Sequence, residues 1–108
     1  MRKDIPKIII ILPCYNEEEI IQDSINKIFN EFSNLKQKKL CSDDSYIMFV
    51  DDGSSDNTWK ILKSNLTNFI SLKAIKLTYN CGHQNAIMAG INEVKNDCDL
   101  AITIASDL

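Results

Sequence analysis

Four short apolar runs rich in β-branched residues alternate along the chain with longer segments of helical periodicity. The runs are Lys7–Leu12, Tyr46–Val50, Leu72–Thr78 and Leu100–Ala105. The first is almost continuous isoleucine, which is typical of a strand buried on both faces of a parallel sheet. The order β-α-β-α-β-α-β requires right-handed crossover connections, which place helices on the faces of the sheet. We therefore predict a three-layer α/β/α fold with a mainly parallel sheet.

The segments between the apolar runs carry helix signals. Asn16 is a good N-cap for the first helix, and the three glutamates that follow it place negative charge in the first turn, where the helix dipole favours it. Apolar residues continue at helical spacing to about Leu35, and Ser55 or Asp56 is expected to cap the second helix. The apolar residues that predict the second and third helices are Trp59, Leu62 and Leu66, and Ile87, Ile91 and Val94.

Composition narrows the class of protein. The chain has 108 residues, 44% hydrophobic and 25% charged, which is the balance of one compact soluble domain and excludes a disordered chain. The net charge of −3 argues against a nucleic-acid partner, which would require clustered positive charge. The apolar run Ile8–Leu12 is too short for a membrane span or a signal peptide. We expect a cytoplasmic protein.

The cysteines Cys14, Cys41, Cys81 and Cys98 include no CxxC pair of the kind that zinc, iron–sulfur or redox sites use. We expect reduced thiols that fill space in or near the core. A nucleophilic cysteine is not expected, because His83 is the only histidine and lies two residues from Cys81, too close along the chain for a typical catalytic dyad.

Polar residues cluster after each predicted strand. The clusters are Pro13–Glu17, Asp51–Asp56, Asn80–Gln84 and Ser106-Asp107. The carboxyl ends of parallel strands meet at one edge of a sheet, where open α/β sheets bind their ligands. The sequence therefore predicts a small-molecule site along this edge.

The adjacent acids Asp51 and Asp52 are the strongest of these features. Turn and capping chemistry explains Asp, Gly and Ser after a strand, but it does not explain two neighbouring carboxylates whose repulsion is costly unless a ligand uses them. A carboxylate in this place can accept from a ribose hydroxyl or a nucleobase N–H, and we favour that interpretation.

The other clusters leave alternatives open. Pro13–Glu17 is explained equally well by capping or by a loop in which Tyr15 packs on a nucleobase. Asn80–Gln84 could receive a phosphate at a helix N-terminus, and Asp107 could end a strand or hold Mg²⁺ or Mn²⁺. The glycines at 53, 82 and 90 have the wrong spacing for a dinucleotide fingerprint or a P-loop.

Taken together, the clusters form four motifs in a fixed order: Ile8–Leu12 with Pro13-Cys14-Tyr15-Asn16-Glu17-Glu18, then Phe49–Thr58, Asn80–Ala86 with Ala89-Gly90, and Ser106-Asp107-Leu108. They resemble the nucleotide-sugar-binding half of a family 2 glycosyltransferase of the GT-A fold, which is Rossmann-like. The resemblance spans almost the whole chain. The Gly-His-Gln stretch is most similar to the branch with dolichyl-phosphate mannosyltransferases and bacterial undecaprenyl-phosphate glycosyltransferases.

The resemblance implies a site for the donor nucleotide. The nucleoside pocket would be lined by Pro13, Tyr15, Glu17 and Asp52, and Asp51 would support it. The donor diphosphate would lie close to Asn80, Gly82 and Gln84, or these residues would shape its pocket. The whole implied donor site is Pro13, Tyr15, Asn16, Glu17, Asp51, Asp52, Asn80, Gly82 and Gln84. Asp107 would match the second acid of a metal-binding Asp-x-Asp motif, although Ala105 stands at the first acid.

The implied reaction is metal-dependent, inverting transfer of a hexose from a UDP- or GDP-linked sugar, with Mg²⁺ or Mn²⁺ as cofactor. The acceptor would be a polyprenyl phosphate or a growing glycan, and the enzyme would work at the cytoplasmic face of the membrane through parts outside this chain. Residues 1–108 would then be the donor-binding part of a longer domain, ending inside the metal motif. We expect such a piece to bind nucleotide weakly and to transfer little or no sugar.

Two other functions fit the same pattern of elements. One is a non-catalytic nucleotide-binding α/β module. The other is a receiver-type signalling domain, which also uses an acidic pair. Receivers place that pair after the first strand, whereas Asp51 and Asp52 follow the second, and no lysine ends a late strand here.

Overall fold

The computed structural model describes residues 5–104. Within them, strands and helices alternate in the predicted order, and the bounds agree with the sequence patterns to within a few residues at most ends. The elements are β1 (Ile8–Cys14), α1 (Ile21–Gln37), β2 (Tyr46–Asp51), α2 (Thr58–Asn65), β3 (Leu72–Lys76), α3 (His83–Val94) and β4 (Leu100–Thr103).

The strands form one parallel sheet in the order β3-β2-β1-β4. In its register, Ile11 of β1 lies opposite Met48 of β2 on one side and Thr103 of β4 on the other. Since every pairing is parallel, the segments after β1, β2 and β3 all leave the sheet at the same edge. The predicted fold and the predicted common edge are both confirmed.

Alternate residues of β1 pack into two separate cores. Ile10 and Leu12 lie in the core on the face covered by α1 and α2. Ile9 and Ile11 lie in the core on the opposite face, with Val94 of α3. Every residue of β1 is buried, so the isoleucine run fills both faces and the sheet is the middle of three layers, as predicted.

The start of α1 differs from the prediction. The helix begins at Ile21, and the three glutamates at 17–19 precede it instead of forming its first turn. Asn16 is not the N-cap, because its backbone is left-handed, with φ of +49°. The carbonyl of Glu17 accepts hydrogen bonds from the backbone N–H groups of Ile20 and Ile21, at 3.0 and 2.8 Å, and so closes a turn before the helix.

A polar network joins the strands at the opposite, amino edge of the sheet. Asp97 accepts hydrogen bonds from the Lys7 ammonium at 2.8 Å and from the Tyr46 hydroxyl at 2.9 Å. The bond from Lys7, followed by that from Tyr46, lowers the pKa of Asp97. Burial, reinforced by the bond to Asp97, raises the pKa of Tyr46 to about 12. This edge is therefore tied together by its own side chains.

Among residues 5–104, no helix combines the length and the apolar character that crossing a membrane requires.

Candidate functional site

The loop after β1 is joined to the loop after β2 through Asn16. Its side-chain Oδ1 accepts hydrogen bonds from the backbone N–H groups of Ser55, at 2.8 Å, and Asp56, at 3.3 Å. Its own N–H donates to Ser54 Oγ at 2.8 Å. The left-handed conformation thus turns the Asn16 amide toward a loop 39 residues further along the chain, which explains why it does not cap α1.

Further hydrogen bonds strengthen this link. The Glu17 N–H donates to Thr58 Oγ1 at 2.8 Å, and Glu18 Oε1 accepts from the Asn57 N–H at 2.9 Å. The N-cap residue of α2 is Asn57, not Ser55 or Asp56 as predicted, but Asp56, one position earlier, accepts from the Thr58 N–H at 2.9 Å. Burial alone would raise the pKa of Asp56, but hydrogen bonds, chiefly from Thr58 and then from Glu18, outweigh it and lower the pKa. The two loops form one connected unit.

The first acid of the pair, Asp51, is fully buried at the end of β2. Its Oδ1 accepts hydrogen bonds from the backbone N–H and the hydroxyl of Ser54. Its Oδ2 lies 3.5 Å from the Lys76 ammonium, and no hydrogen bond within residues 5–104 reaches that oxygen. Asp51 therefore holds the turn that follows β2 and is neutralised by the last residue of β3.

The second acid, Asp52, is 3% exposed and contacts the loop after β3. Its Oδ1 accepts from the Cys81 N–H at 2.7 Å. Its Oδ2 accepts from the Asn80 side-chain amide at 3.0 Å and from the Gly82 N–H at 3.1 Å. The same carboxylate therefore joins the loop after β2 to the loop that leads into α3.

Other predicted residues differ in how far they are open to solvent. Tyr15 is 44% exposed, Gln84 is exposed, and Pro13 is buried within β1, where it pairs with Val50. A groove of about 430 Å³ adjoins the loop after β1. Its lining is mostly acidic and consists of Asn16, Glu17, Glu18, Glu19, Ile20 and Asp56.

Comparison with known families identifies the chain. The family described as "Glycosyl transferase family 2" matches residues 9–108. The chain belongs to glycosyltransferase family 2. It is 38% identical over its whole length to the uncharacterized glycosyltransferase YkoT of Bacillus subtilis, of which it covers 32%. It is 37% identical over 106 residues to the undecaprenyl-phosphate 4-deoxy-4-formamido-L-arabinose transferase of Proteus mirabilis, of which it covers 30%.

Solved structures show the same fold. A mannosyltransferase from Pyrobaculum calidifontis, in complex with GDP-Man and Mn²⁺, superposes with a TM-score of 0.79 at 18% identity over 97% of this chain. S. aureus TarS superposes with a TM-score of 0.69 at 22% identity over 94% of this chain. The chain covers 28% and 16% of these two structures, and about a third of the length of the curated relatives given above. The resemblance to a family 2 glycosyltransferase is confirmed, and with it the preference over a receiver-type domain.

In this family 2 glycosyltransferase chain, the described residues offer no metal site. No three His, Cys, Asp or Glu side chains within residues 5–104 lie together in a way that could hold an ion. Asp51 and Asp52 are both engaged by protein groups. Asp107, the predicted metal ligand, and Ala105 lie outside the described residues.

The buried cysteines of the glycosyltransferase chain are space-filling. Cys14 is 3% exposed and Cys41 is 2% exposed, and both are free thiols. Burial, with a smaller contribution from the charge of Asp51, raises the pKa of Cys14 far above its ordinary range. Cys14 is therefore a protonated, inert thiol at neutral pH, in agreement with the sequence analysis.

Sequence reasoning missed the residues that connect the loops. The hydroxyl oxygens of Ser54 and Thr58 accept hydrogen bonds from backbone N–H groups of the loop after β1. Gly53 has no side chain, which lets the loop after β3 approach the loop after β2. A signal for Gly53 was available, since a glycine between Asp52 and Ser54 indicates a tight turn. For Ser54 and Thr58 the sequence carries no such signal, because their partners lie about forty residues away.

Proposed function

We propose that the three joined loops at the carboxyl edge bind the nucleoside diphosphate part of an activated sugar, and that the protein transfers the sugar to an acceptor. One observation carries the proposal. The loops after β1, β2 and β3 are held together by hydrogen bonds at one edge of the sheet, in a chain of glycosyltransferase family 2. Ligands of open α/β sheets bind at this edge.

Four of the predicted residues are suited to touch the donor. Tyr15 presents a half-exposed ring on which a nucleobase can pack, and Gln84 presents an exposed amide on the first turn of α3. A carboxylate has about four acceptor positions, of which Asp52 has filled three, so one remains on Oδ1 for a base N–H. Glu17 lines the groove beside the loop after β1.

The remaining predicted residues do not face the donor in this proposal and instead hold the three loops in place. Pro13 and Asp51 are buried, and Asn16 holds the loop after β2. The side chain of Asn80 and the N–H of Gly82 are bonded to Asp52, so we assign to both the role of shaping the pocket.

The proposed reaction joins an acceptor oxygen to the anomeric carbon while the bond to the nucleoside diphosphate breaks and the diphosphate leaves with the electron pair. Relatives of this chain are named for undecaprenyl phosphate, which supports a polyprenyl phosphate as acceptor. A phosphate oxygen is already anionic, so this acceptor needs no general base, whereas a glycan hydroxyl would need a carboxylate. With a lipid-linked acceptor, the protein would work at the cytoplasmic face of the membrane.

A divalent cation, Mg²⁺ or Mn²⁺, is the proposed cofactor, and it would stabilise the charge that develops on the leaving diphosphate. The mannosyltransferase with a similar fold was solved with Mn²⁺, which supports a cation in this fold. Residues 5–104 do not themselves fit a metal site. Asp107 is the residue of this chain that we propose as a ligand.

Calorimetric titration tests the proposal. The chain is titrated with UDP, GDP, UDP-linked sugars and GDP-linked sugars, each with and without Mn²⁺, and with ADP as a comparison nucleotide. We expect weak, saturable binding of UDP or GDP, strengthened by Mn²⁺. Asp23→Asn, which changes an exposed acid on α1, should bind like the unaltered chain. Absence of binding to every nucleotide would overturn the proposal.

A further inference from the structure

The last strand, β4, is held in place less by burial than β1 and β2. Leu100, Ala101 and Thr103 are exposed, whereas every residue of β1 and β2 is buried. Within residues 5–104, the strand that pairs with β4 is β1. A strand with little buried surface has a weakly specified register. Contacts outside the strand are therefore needed to fix where β4 lies along β1.

The apolar pattern of β4 excludes some registers but not all. Ile102 lies opposite Ile10 of β1 and packs against the core covered by α1. A shift by one residue would turn Ala101 and Thr103 toward that core instead, which loses apolar burial. A shift by two residues would bring Leu100 opposite Ile10 with the same faces kept, and would move β4 by about 6–7 Å along β1. The apolar pattern does not distinguish this register from the observed one.

Two carboxylates just before β4 join it to the amino edge of the sheet. Asp99 Oδ2 accepts from the Lys7 N–H at 2.8 Å, and the Asp99 N–H donates to the Lys7 carbonyl at 2.9 Å. Asp97 accepts from the Lys7 ammonium and from the Tyr46 hydroxyl, and so reaches the starts of β1 and β2 together. A shift by two residues would carry both acids about 6–7 Å from these donors.

The groups that donate to Asp97 are themselves held in place. Tyr46 is 7% exposed, and the Lys73 ammonium lies 4.1 Å from the centre of its ring. The pair of Lys7 and Asp97 is partly exposed, so by itself it contributes little to stability. The register therefore depends on the hydrogen bonds of both acids acting together.

We propose that Asp97 and Asp99 are positioning residues that set the register of β4 on β1 and, through it, the place where the chain returns to the carboxyl edge. There the Ile104 N–H donates to the Ile11 carbonyl at 3.0 Å, and the sequence that follows carries the predicted site residue Asp107. The effect on nucleotide binding rests on the proposed function. The structural part concerns the free chain, so the two parts can be tested separately.

The structural part is tested by amide hydrogen exchange, followed by NMR in the free chain. The double variant Asp97→Ala/Asp99→Ala removes the side-chain acceptors. The amides of Leu100 and Ile104, which donate to carbonyls of the β1 segment, should then exchange about three- to tenfold faster. The rates are compared with that of the Ile47 amide at the start of β2, because a general loss of stability would speed all three alike.

The register itself is read from nuclear Overhauser contacts between Ile104 and Ile11, which should weaken in the double variant. Asp99→Asn keeps a side-chain oxygen for the Lys7 N–H and should retain these contacts, whereas Asp99→Ala should weaken them. Asp44→Ala is the matched control, because it removes another acid, 3.9 Å from the Lys7 ammonium, that does not belong to the β4 segment. It should leave the exchange rates and the contacts unchanged.

The functional part is tested by calorimetric titration of the unaltered chain, the double variant and Asp44→Ala with GDP and with UDP. A chain that reaches the carboxyl edge in another register does not complete the nucleotide site. If about one third of the molecules keep the native register, the apparent Kd of the double variant rises about threefold. Asp44→Ala should bind like the unaltered chain.

The outcomes separate this inference from the proposed function. Unchanged exchange and unchanged cross-strand contacts in the double variant would overturn the positioning role, and an altered register with an unchanged Kd would overturn its effect on binding. If the unaltered chain binds neither GDP nor UDP, the proposed function fails, while the NMR results still decide whether the acids set the register. Should the double variant fail to fold, Asp99→Ala alone should speed exchange of the Leu100 amide, and no change there would count against the proposal.

Discussion

Alanine in place of Gly53 should lower the free energy of unfolding for two reasons, a strained backbone and a steric clash of the added methyl group. The backbone at 53 has φ of +70°, and a non-glycine residue in a left-handed conformation costs about 1–2 kcal/mol. The methyl would also lie 2.3 Å from the Tyr79 carbonyl carbon and 2.5 Å from the Asn80 nitrogen. Both are backbone atoms and cannot rotate away, and forced overpacking of this kind costs about 1–3 kcal/mol.

Together these costs reduce the free energy of unfolding by about 2–5 kcal/mol, a large share of the roughly 5–15 kcal/mol expected for a domain of this size. The assay is urea unfolding at equilibrium, followed by the fluorescence of Trp59, the only tryptophan, and by far-ultraviolet circular dichroism. With a urea m-value of about 1–3 kcal/mol/M, a loss of about 3 kcal/mol lowers the midpoint by about 1–3 M.

Gly82→Ala is the matched control. Gly82 also has a positive φ, +94°, but a Cβ there meets nothing within 4 Å. Its cost is therefore backbone strain alone, about 1–3 kcal/mol. We expect Gly53→Ala to be the less stable of the two. If Gly82→Ala is equally or more destabilised, the close approach of the two loops is refuted.

Two further predictions concern charged residues at the carboxyl and amino edges of the sheet. Lys76→Met leaves the buried Asp51 carboxylate without its ion-pair partner, and urea unfolding should show a free energy of unfolding lower by about 1–3 kcal/mol. The control Lys27→Met, which removes an exposed ion pair, should lower it by less than about 0.5 kcal/mol. Equal effects of the two substitutions would contradict the buried pair. Asp97 has a lowered pKa when folded because of its bond from Lys7, so its contribution is present above the unfolded pKa of about 3.9 and is lost as the pH falls through the folded value. Urea unfolding at stepwise pH should accordingly show a shallower loss of stability below about pH 4 in Asp97→Asn, and parallel curves for the two proteins would count against the network.

The fold followed from the sequence because its signals are local and repeated. The isoleucines of β1 are apolar at both odd and even positions, and only a strand covered on both faces buries them all. The parallel order then placed the polar clusters after β1, β2 and β3 at one edge, and the hydrogen bonds between those loops bear this out.

The hydrogen bonds of the site could not be predicted from the sequence, because the groups that they join are distant along the chain. Asn16 carries every local mark of a helix cap, yet its side chain binds a loop 39 residues away. The place of Asp52 in a nucleoside pocket stays a prediction, but nothing in the sequence indicated that its oxygens would accept groups 28 to 30 residues further on. Capping rules describe neighbours in sequence, and these contacts exist only once the sheet has brought the loops together.

We propose that this family 2 glycosyltransferase chain binds its nucleotide at the carboxyl edge of the sheet. The most direct test is an NMR titration of the isotopically labelled chain with GDP and, separately, with UDP. We predict that one of the two shifts the amide signals of Tyr15, Gly53 and Gln84, while those of Lys7 and Asp97 at the amino edge stay in place. Shifts confined to the amino edge, or no shift with either nucleotide, would contradict the account.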